Sequence, residues 1–130
     1  MTNINDAKSL ILVVEDVEET RDGIEELLKV DGYQVDSARD EKDAILRAKR
    51  EAPALILVSL HGTYVDVIAA ARRIRENAQL SEEIPVVVFC VEAVAEGAEV
   101  EIGKNVYVTR PDNFNQLRGF LRRLLNPSVS

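Results

Sequence analysis

Six residues that could do chemistry stand within or just after the apolar runs of this sequence. They are Glu15, Asp16, Ser59, Cys90, Thr109 and Arg110. Carboxylates can bind a cation, a hydroxyl or thiol can act as a nucleophile, and a guanidinium binds oxyanions. If the runs are parallel strands of one sheet, their carboxyl ends open into one crevice, where α/β proteins bind ligands. The spacing therefore predicts that these side chains converge on a single site.

Five apolar runs predict the strands that would position this site. The runs at 10–14, 54–60 and 84–91 are nearly continuous in Val, Ile and Leu. Such runs are typical of parallel strands that are covered on both faces. Two shorter strands are predicted at 33–38 and 105–109.

Helical patterns lie between the predicted strands. Apolar residues recur at helical spacing in 18–30, 41–51, 67–77 and a last segment after Pro111. The candidate N-terminal caps are Asp40, Asp66 and either Asp112 or Asn113. The segment 92–103, with four glutamates and no base, predicts only a short or frayed helix. We expect an α/β domain over 1–125 with a parallel sheet between helices, and a tail or linker start at 126–130.

Composition narrows the classes of function. The net charge of -7 disfavours a basic surface for nucleic acid or anionic lipid. One cysteine excludes an internal disulfide and a cysteine zinc site and fits a reducing cytoplasm. The polar N-terminus lacks a signal-peptide pattern, and no apolar run is long enough to span a membrane. The composition predicts a cytoplasmic protein with neither nucleic acid nor membrane as a partner.

Five segments, in order, resemble the response regulator receiver domain of two-component signalling. "ILVVED" resembles the family's first strand and acidic pair, and "DGYQVDSARDEKDAI" resembles its second strand and helix. "APALILVSL" resembles the third strand, which in the family ends in the phosphorylated aspartate, and "IPVVVFC" and "YVTRP" resemble the last two. The resemblance implies a flavodoxin-like α/β fold with a five-stranded parallel sheet, order 2-1-3-4-5, and helices on both faces.

The resemblance also implies a role for each matched residue. In the family, the acidic pair matched by Glu15 and Asp16 holds magnesium. The aspartate matched by Ser59 accepts a phosphoryl group from a phosphohistidine. The residues matched by Cys90 and Arg110 contact the phosphoryl oxygens.

Three of these positions depart from the family pattern. Ser59 cannot form an acyl phosphate, and as an alkoxide nucleophile it would need an adjacent base, for which His61 is the nearby imidazole. Cys90 offers only a weak S–H donor, and Arg110 replaces a compact ammonium by a planar fork. The departures predict a degenerate receiver, or pseudo-receiver, that lacks the acceptor aspartate.

Loss of the aspartate also changes the charge of the predicted pocket. Two carboxylates and one guanidinium remain where the family has three carboxylates and one lysine. We therefore expect no bound metal or other cofactor, although Glu15 and Asp16 leave room for weak magnesium binding. We also expect Arg110 to pair with one of these acids as a fixed substitute for the metal.

Two surface features could serve signalling. Tyr107 matches the family's mobile switch aromatic, but beside a disabled pocket we favour a static core residue or part of a docking surface. Acidic residues of 92–101 and basic residues of the last helix could form an interface over 92–125 with a protein partner or with a second copy. The candidate interface residues are Glu96, Glu99, Arg118 and Arg122.

We therefore predict a phosphorylation-independent module for protein–protein interaction in intracellular, phosphorelay-type signalling. It has no catalytic residue in this interpretation and is not an enzyme. Two alternatives stay open. Ser59 could be modified or act as a nucleophile in a phosphotransfer or hydrolytic protein, or the same crevice could bind a small molecule.

Overall fold

The fold is that of a computed structural model, in which residues 9–89 and 94–126 are described. The elements follow the order β1 (Leu10–Glu15), α1 (Glu18–Val30), β2 (Gln34–Ala38), α2 (Glu41–Arg50), β3 (Leu55–Ser59), α3 (Tyr64–Asn77), β4 (Val86–Phe89), β5 (Glu99–Gly103), β6 (Val106–Thr109) and α4 (Phe114–Leu125). They form one six-stranded sheet in the order β2-β1-β3-β4-β6-β5. Helices cover both faces of this sheet.

The inner strands explain the continuous apolar runs. Successive side chains of a strand point to opposite faces. In β1, Leu12 and Val14 pack with α2 and α3, whereas Ile11 and Val13 pack with α1 and α4. Because both faces are covered, every position of the strand's middle is apolar and buried. The predicted strands at 10–14 and 54–60 are confirmed within a residue at their ends, and that at 84–91 is confirmed over Val86–Phe89. Residues 90 and 91 lie outside the described residues.

Helix starts follow the capping residues. The side chains of Asp40 and Asn113 accept backbone N–H bonds from three residues further on, at 2.8 and 2.9 Å. Helix α3 begins earlier than predicted, because Thr63 rather than Asp66 is its cap. The Thr63 hydroxyl accepts the Asp66 backbone N–H at 3.2 Å, and Gly62 before it has a φ of 139°, which L side chains rarely adopt.

The sixth strand corrects the sequence prediction. Strand β5 runs antiparallel to β6 at the edge of the sheet, where the sequence predicted a short or frayed helix over 92–103. The predicted five-stranded order 2-1-3-4-5 is therefore wrong in strand number and order. Its five parallel strands are present as β2, β1, β3, β4 and β6. Residues 92 and 93 of the predicted helix lie outside the described residues.

Alternation and turn chemistry explain this strand. The segment "EVEI" at 99–102 alternates acidic and apolar residues, the period of a half-buried strand. Gly103 pairs with Val106 around a two-residue loop, in which Lys104 and Asn105 have φ values of 55° and 62°. Two successive positive φ values define a type I′ turn, whose twist matches that of the strands it joins. The local pattern thus favours a hairpin over a helix.

A buried arginine fastens the hairpin to α3. Arg75 is 5% exposed, and its guanidinium donates to the carbonyl oxygens of Ile84 at 2.8 Å and Lys104 at 2.6 Å. Burial lowers the pKa of Arg75. The side chain therefore joins α3 to the segment before β4 and to the turn of the hairpin, through backbone carbonyls.

The described part of the chain contains no helix that is long and apolar enough to cross a membrane. Helix α4 ends at Leu125, where the sequence placed the end of the domain. Residues 127–130 of the expected tail lie outside the described residues, so the domain boundary stays a prediction.

Candidate functional site

The ends of β1 and β3 bring an acid and a hydroxyl together. Glu15 and Ser59 are register partners on these parallel strands, which lie about 4.8 Å apart in such sheets. Glu15 is 3% exposed. Its Oε2 accepts the Val17 backbone N–H at 3.0 Å, and its carbonyl oxygen accepts from Arg21 Nη1 at 2.8 Å. Ser59 is half-buried.

Asp16 follows β1 and is joined to the loop after β3. His61 Nδ1 lies 2.9 Å from both carboxylate oxygens of Asp16, and the His61 backbone N–H donates to Oδ2 at 3.3 Å. Because an ionised carboxylate can only accept, Nδ1 carries the proton and donates. The imidazole thus lies against the carboxylate that the family resemblance assigns to metal binding.

The pKa values of Asp16 and His61 shift in the directions expected for a carboxylate and an imidazole that form an ion pair. Partial burial disfavours the charged form of Asp16, but hydrogen bonds from the side chain and backbone of His61 outweigh it and lower the pKa of Asp16. The hydrogen bond to Asp16, together with its charge, raises the pKa of His61. The His61 side chain is 77% exposed, so this pair is open to solvent and salt.

Arg110 does not take the place predicted for it. Within the described residues, no ion pair joins Arg110 to Glu15 or Asp16, and the His61 imidazole lies beside Asp16 instead. The predicted pairing is therefore wrong. The backbone N–H of Arg110 donates to Ala98 at 3.2 Å, and its carbonyl accepts from Gly97 at 2.6 Å. These bonds fix the Arg110 backbone to the segment that leads into β5.

Thr109 and Cys90 complete the predicted site. Thr109 is buried, and its hydroxyl donates to the Ala98 carbonyl at 2.9 Å, so it supports the hairpin. Cys90 lies outside the described residues. Its predicted place in the degenerate pocket, where it offers only a weak S–H donor, stays a prediction.

The donor set at this end of the sheet fits magnesium poorly. Magnesium prefers octahedral oxygen sites, usually built from one or two carboxylates with water and phosphate. One oxygen of Glu15 already accepts a backbone N–H, and both oxygens of Asp16 face the His61 imidazole. Among the described residues, 9–89 and 94–126, no three His, Cys, Asp or Glu side chains are grouped so that they could hold a metal ion.

Tyr107 of β6 packs against helix α4. Its ring contacts Phe120 edge to face, with the ring centres 5.5 Å apart at 84°. Its hydroxyl donates to Asn105 Oδ1 at 2.8 Å. Burial, aided by the charge of Glu101, raises the pKa of Tyr107. The geometry is that of a packed aromatic with a satisfied hydroxyl. The static-core and docking-surface interpretations both stay predictions.

Two of the four predicted interface residues already have partners within the chain. Arg118 binds Asp31 through two hydrogen bonds of 2.7 and 2.6 Å. Glu99 accepts from Arg123 at 2.6 Å. Glu96 and Arg122 are exposed. The interface stays a prediction, and a partner that used Arg118 or Glu99 would have to compete with these intramolecular bonds.

His61 is the site residue whose role the sequence analysis missed. The sequence suggested it only as a base for Ser59, yet no hydrogen bond joins the two side chains in the described part of the chain. A signal was available. His61 lies two residues beyond Ser59, and the ends of adjacent parallel strands meet at one edge of the sheet, where Asp16 also stands.

Comparison with known proteins identifies relatives of the whole domain. The family described as the response regulator receiver domain matches residues 11–122. The probable transcriptional regulator ycf27 of Cyanophora paradoxa is 28% identical over 131 residues, and that of Porphyridium aerugineum is 26% identical over 122 residues. These alignments cover 95% and 91% of this chain but 52% and 48% of the regulators. The chain spans about half the length of the curated relatives it matches.

Solved structures show the same fold. The receiver domain of the sensor histidine kinase PA1611 from Pseudomonas aeruginosa, which holds a magnesium ion in its active site cleft, superimposes with a TM-score of 0.68. The two are 27% identical, over 92% of this chain and 98% of that one. The signal receiver domain of a histidine kinase from Syntrophus aciditrophicus gives a TM-score of 0.71 at 22% identity, over 92% and 91%. The flavodoxin-like α/β fold predicted from the sequence is thereby confirmed.

Proposed function

Because the chain belongs to the response regulator receiver domain family, we propose that it acts in two-component signal transduction as a pseudo-receiver. In this proposal it transmits its signal by protein contact and accepts no phosphoryl group. The supporting observation is Ser59, which stands beside the buried Glu15 where the family resemblance expects the acceptor aspartate. A serine hydroxyl has no carboxylate oxygen from which an acyl phosphate could form.

The Asp16–His61 pair supports the same proposal. A receiver needs a divalent cation beside the acceptor to offset the charge of the incoming phosphoryl group. Here the His61 imidazole, which is a cation when it is protonated, lies 2.9 Å from both oxygens of Asp16. A magnesium ion would have to displace it. The proposal therefore includes neither bound magnesium nor a catalytic residue.

The signal would pass through surfaces whose geometry does not depend on phosphate. Tyr107 is anchored by Asn105 and Phe120, which disfavours a switch in which this ring moves. The exposed Glu96 and Arg122 remain candidates for contact with a protein partner or a second copy. We place the domain in the cytoplasm on the strength of its composition.

Intact-mass spectrometry after incubation with acetyl phosphate and magnesium tests the proposal. We expect no added phosphoryl group on the wild-type chain, while an ordinary receiver domain treated in parallel gains one. An added group that hydroxylamine removes would be an acyl phosphate and would overturn the proposal.

A matched pair of variants asks which residue disables the pocket. Ser59→Asp restores a carboxylate but leaves the His61 pair in place, so we expect weak phosphorylation. Ser59→Asp combined with His61→Ala frees Asp16 for magnesium, and we expect a higher phosphorylated fraction. Equal phosphorylation of the two variants would show that His61 does not obstruct the site.

One observation bears on the alternative in which Ser59 is a nucleophile. Asp16 binds His61 through Nδ1, which leaves Nε2 free, the orientation that a general base needs. The missing Ser59–His61 bond argues against this reading, and the same mass measurement tests it. Phosphoserine would resist hydroxylamine. Binding of a small chromophoric molecule in the crevice would appear in the absorbance spectrum of the purified chain.

A further inference from the structure

We propose that the outer edge of β5 binds an extended, basic segment of a protein partner, which adds to the sheet as a seventh strand. This surface is separate from the Ser59 site. The proposal holds whether or not that site accepts a phosphoryl group, so the two can fail independently.

The backbone of β5 offers the hydrogen-bonding groups that such a strand needs. Bonded and non-bonded residue pairs alternate along an antiparallel ladder. The Arg110 N–H donates to the Ala98 carbonyl oxygen, so these two residues form a hydrogen-bonded pair of the ladder. Two residues further along each strand, Val100 and Val108 form the next hydrogen-bonded pair. The N–H and C=O groups of Glu99 and Glu101 therefore point away from β6, towards the open edge.

Helix α3 limits the open stretch at one end. Arg72 Nη2 donates to the carbonyl oxygen of Ile102 at 3.1 Å. Beyond it, the ladder is irregular between Glu101 and Gly103. Among the described residues, no strand pairs with this edge. The open stretch is thus short, and it is centred on residues 99–101.

Charge at this edge favours a basic occupant. The glutamates of β5 point to the face that carries α4. On that face, Arg123 Nη2 lies 2.6 Å from a carboxylate oxygen of Glu99. At the turn, Lys104 Nζ lies 3.8 Å from a carboxylate oxygen of Glu82. Glu96 and Glu101 are exposed and have no basic partner among residues 9–89 and 94–126. Lys or Arg on an added strand would supply the missing charge.

The same charges disfavour a second copy as the occupant. In an antiparallel pair of β5 strands centred on Val100, Glu99 of each copy would stand opposite Glu101 of the other. Like charges directly opposite each other destabilise a strand pair. A short strand with charged residues and an irregular ladder is also the means by which natural edges resist self-association.

The opposite face of β5 supplies an apolar contact. Val100 is 42% exposed and pairs with the buried Val108. A partner's apolar side chain on that face would cover it, as in other cases of strand addition. The occupant therefore alternates basic and apolar residues, with the basic side chains on the α4 face.

Titration of the full isotope-labelled chain with a synthetic Lys/Val alternating peptide of about nine residues, a length that allows one strand, tests the proposal. We expect changes in amide chemical shift to concentrate on residues 97–109. We also expect hydrogen exchange of the Glu99 and Glu101 amides to slow on binding, because their N–H groups then acquire acceptors. Changes that centre on α1 or on the Ser59 site would overturn the proposal.

Matched peptides separate strand pairing from simple charge attraction. A Lys/Val peptide methylated on alternate backbone nitrogens keeps its charge but cannot pair along one edge. We expect it to bind with an affinity roughly tenfold lower than that of the unmethylated peptide. A Glu/Val peptide should not bind. Equal affinity for the methylated and unmethylated peptides would overturn strand addition, as would no binding of the unmethylated peptide.

Matched variants locate the charge. Glu101→Lys is on the exposed edge, and we expect about fivefold weaker peptide binding, the upper range for an exposed ion pair. Glu26→Lys makes the same charge change at an exposed position of α1, away from β5, and should leave binding unchanged. Equal effects of the two variants would contradict the proposal. So would dimers whose β5 amides are protected without peptide, since a second copy would then occupy the edge.

Discussion

The inner parallel strands and the edge strand β5 are fixed in the sheet by different forces. In β1 and β3, nearly every side chain is buried between helices. Strand β5 is largely exposed, and directed hydrogen bonds tie the hairpin down, from Arg75 to Lys104, from Gln116 to Gly97 and from Thr109 to Ala98. Apolar burial is non-directional and cooperative, whereas a few polar bonds can be lost one at a time. Local stability should therefore differ between the two regions.

The largest effect is expected in the buried parallel region. Leu57 of β3 is fully buried, so Leu57→Ala should lower the free energy of unfolding by about 2–5 kcal/mol, through lost burial and a residual cavity. Urea denaturation measures this. Leu46→Ala removes the same atoms from a side chain on a residue that is 60% exposed and should cost no more than about 0.5 kcal/mol. Similar losses for the two would contradict the burial argument.

Next in size is the loss of the polar contact that fastens the hairpin. Arg75→Met keeps much of the apolar stem but leaves the carbonyls of Ile84 and Lys104 without their donor. We expect a loss of about 1–3 kcal/mol and faster hydrogen exchange in residues 99–103 than in β1 or β3. Uniformly faster exchange would show that the two regions unfold as one.

Arg73→Met is the control for that variant. Arg73 lies on the same helix, but its pair with Glu41 is exposed. We expect a loss of about 0.2–1 kcal/mol, with no selective change in the hairpin amides.

A smaller effect is expected at the ion pair that ties α1 to α4. Arg118 binds Asp31 with two bonds, and the Asp31 side chain is only 12% exposed. A double-mutant cycle with Arg118→Met and Asp31→Asn should give a coupling free energy of about 1 kcal/mol. The same cycle on the exposed helical pair Glu25–Lys29 should give about 0.3–0.5 kcal/mol. A lower coupling for Arg118–Asp31 would contradict the benefit of two-bond geometry.

The smallest effect on stability belongs to the Asp16–His61 pair, which is mostly exposed. The pKa of His61 is raised above its ordinary 6.5 by Asp16, so its contribution to stability is present below pH 6.5 and is lost as pH rises through the folded-state pKa. The pKa of Asp16 is lowered from 3.8, so its contribution is present above that pH and is lost as pH falls through the folded-state pKa.

NMR titration of the single imidazole checks this pair directly. Asp16→Asn removes the charge and the ionised acceptor, so the pKa of His61 should fall towards 6.5. Glu18→Gln, a charge change elsewhere on the exposed start of α1, is the control and should move it much less. An unchanged pKa in Asp16→Asn would contradict the pairing.

Sequence patterns predicted the parallel strands, their separating helices and the meeting of Glu15 with Ser59. These follow from apolar periodicity, capping residues and the rule that parallel strands end at one edge. They did not predict β5, although the alternation at 99–102 and the Lys104–Asn105 turn were visible. The glutamates and Gly97 indicate a poor helix, but they are compatible with an edge strand, because such a strand needs only one covered face.

The residue that pairs with Asp16 could not be predicted in the same way. Arg110 is always charged, whereas His61 is charged only when it is protonated, and the family resemblance favoured Arg110 as the partner. The loop after β3, however, places both the backbone N–H and the imidazole of His61 against Asp16. Loop paths depend on the elements they join, and the sequence pattern contains little information about them.

The sequence by itself determined which segments are buried, because the period of apolar residues reflects how many faces of each element are covered. It also determined that a serine, Ser59, ends the apolar run of β3. Only the tertiary structure decided the long-range polar partners, such as Asp16 with His61, 45 residues apart, and Asp31 with Arg118, 87 apart. Hydrogen bonds depend on distance and direction to within fractions of an ångström, and the folded chain alone sets those distances.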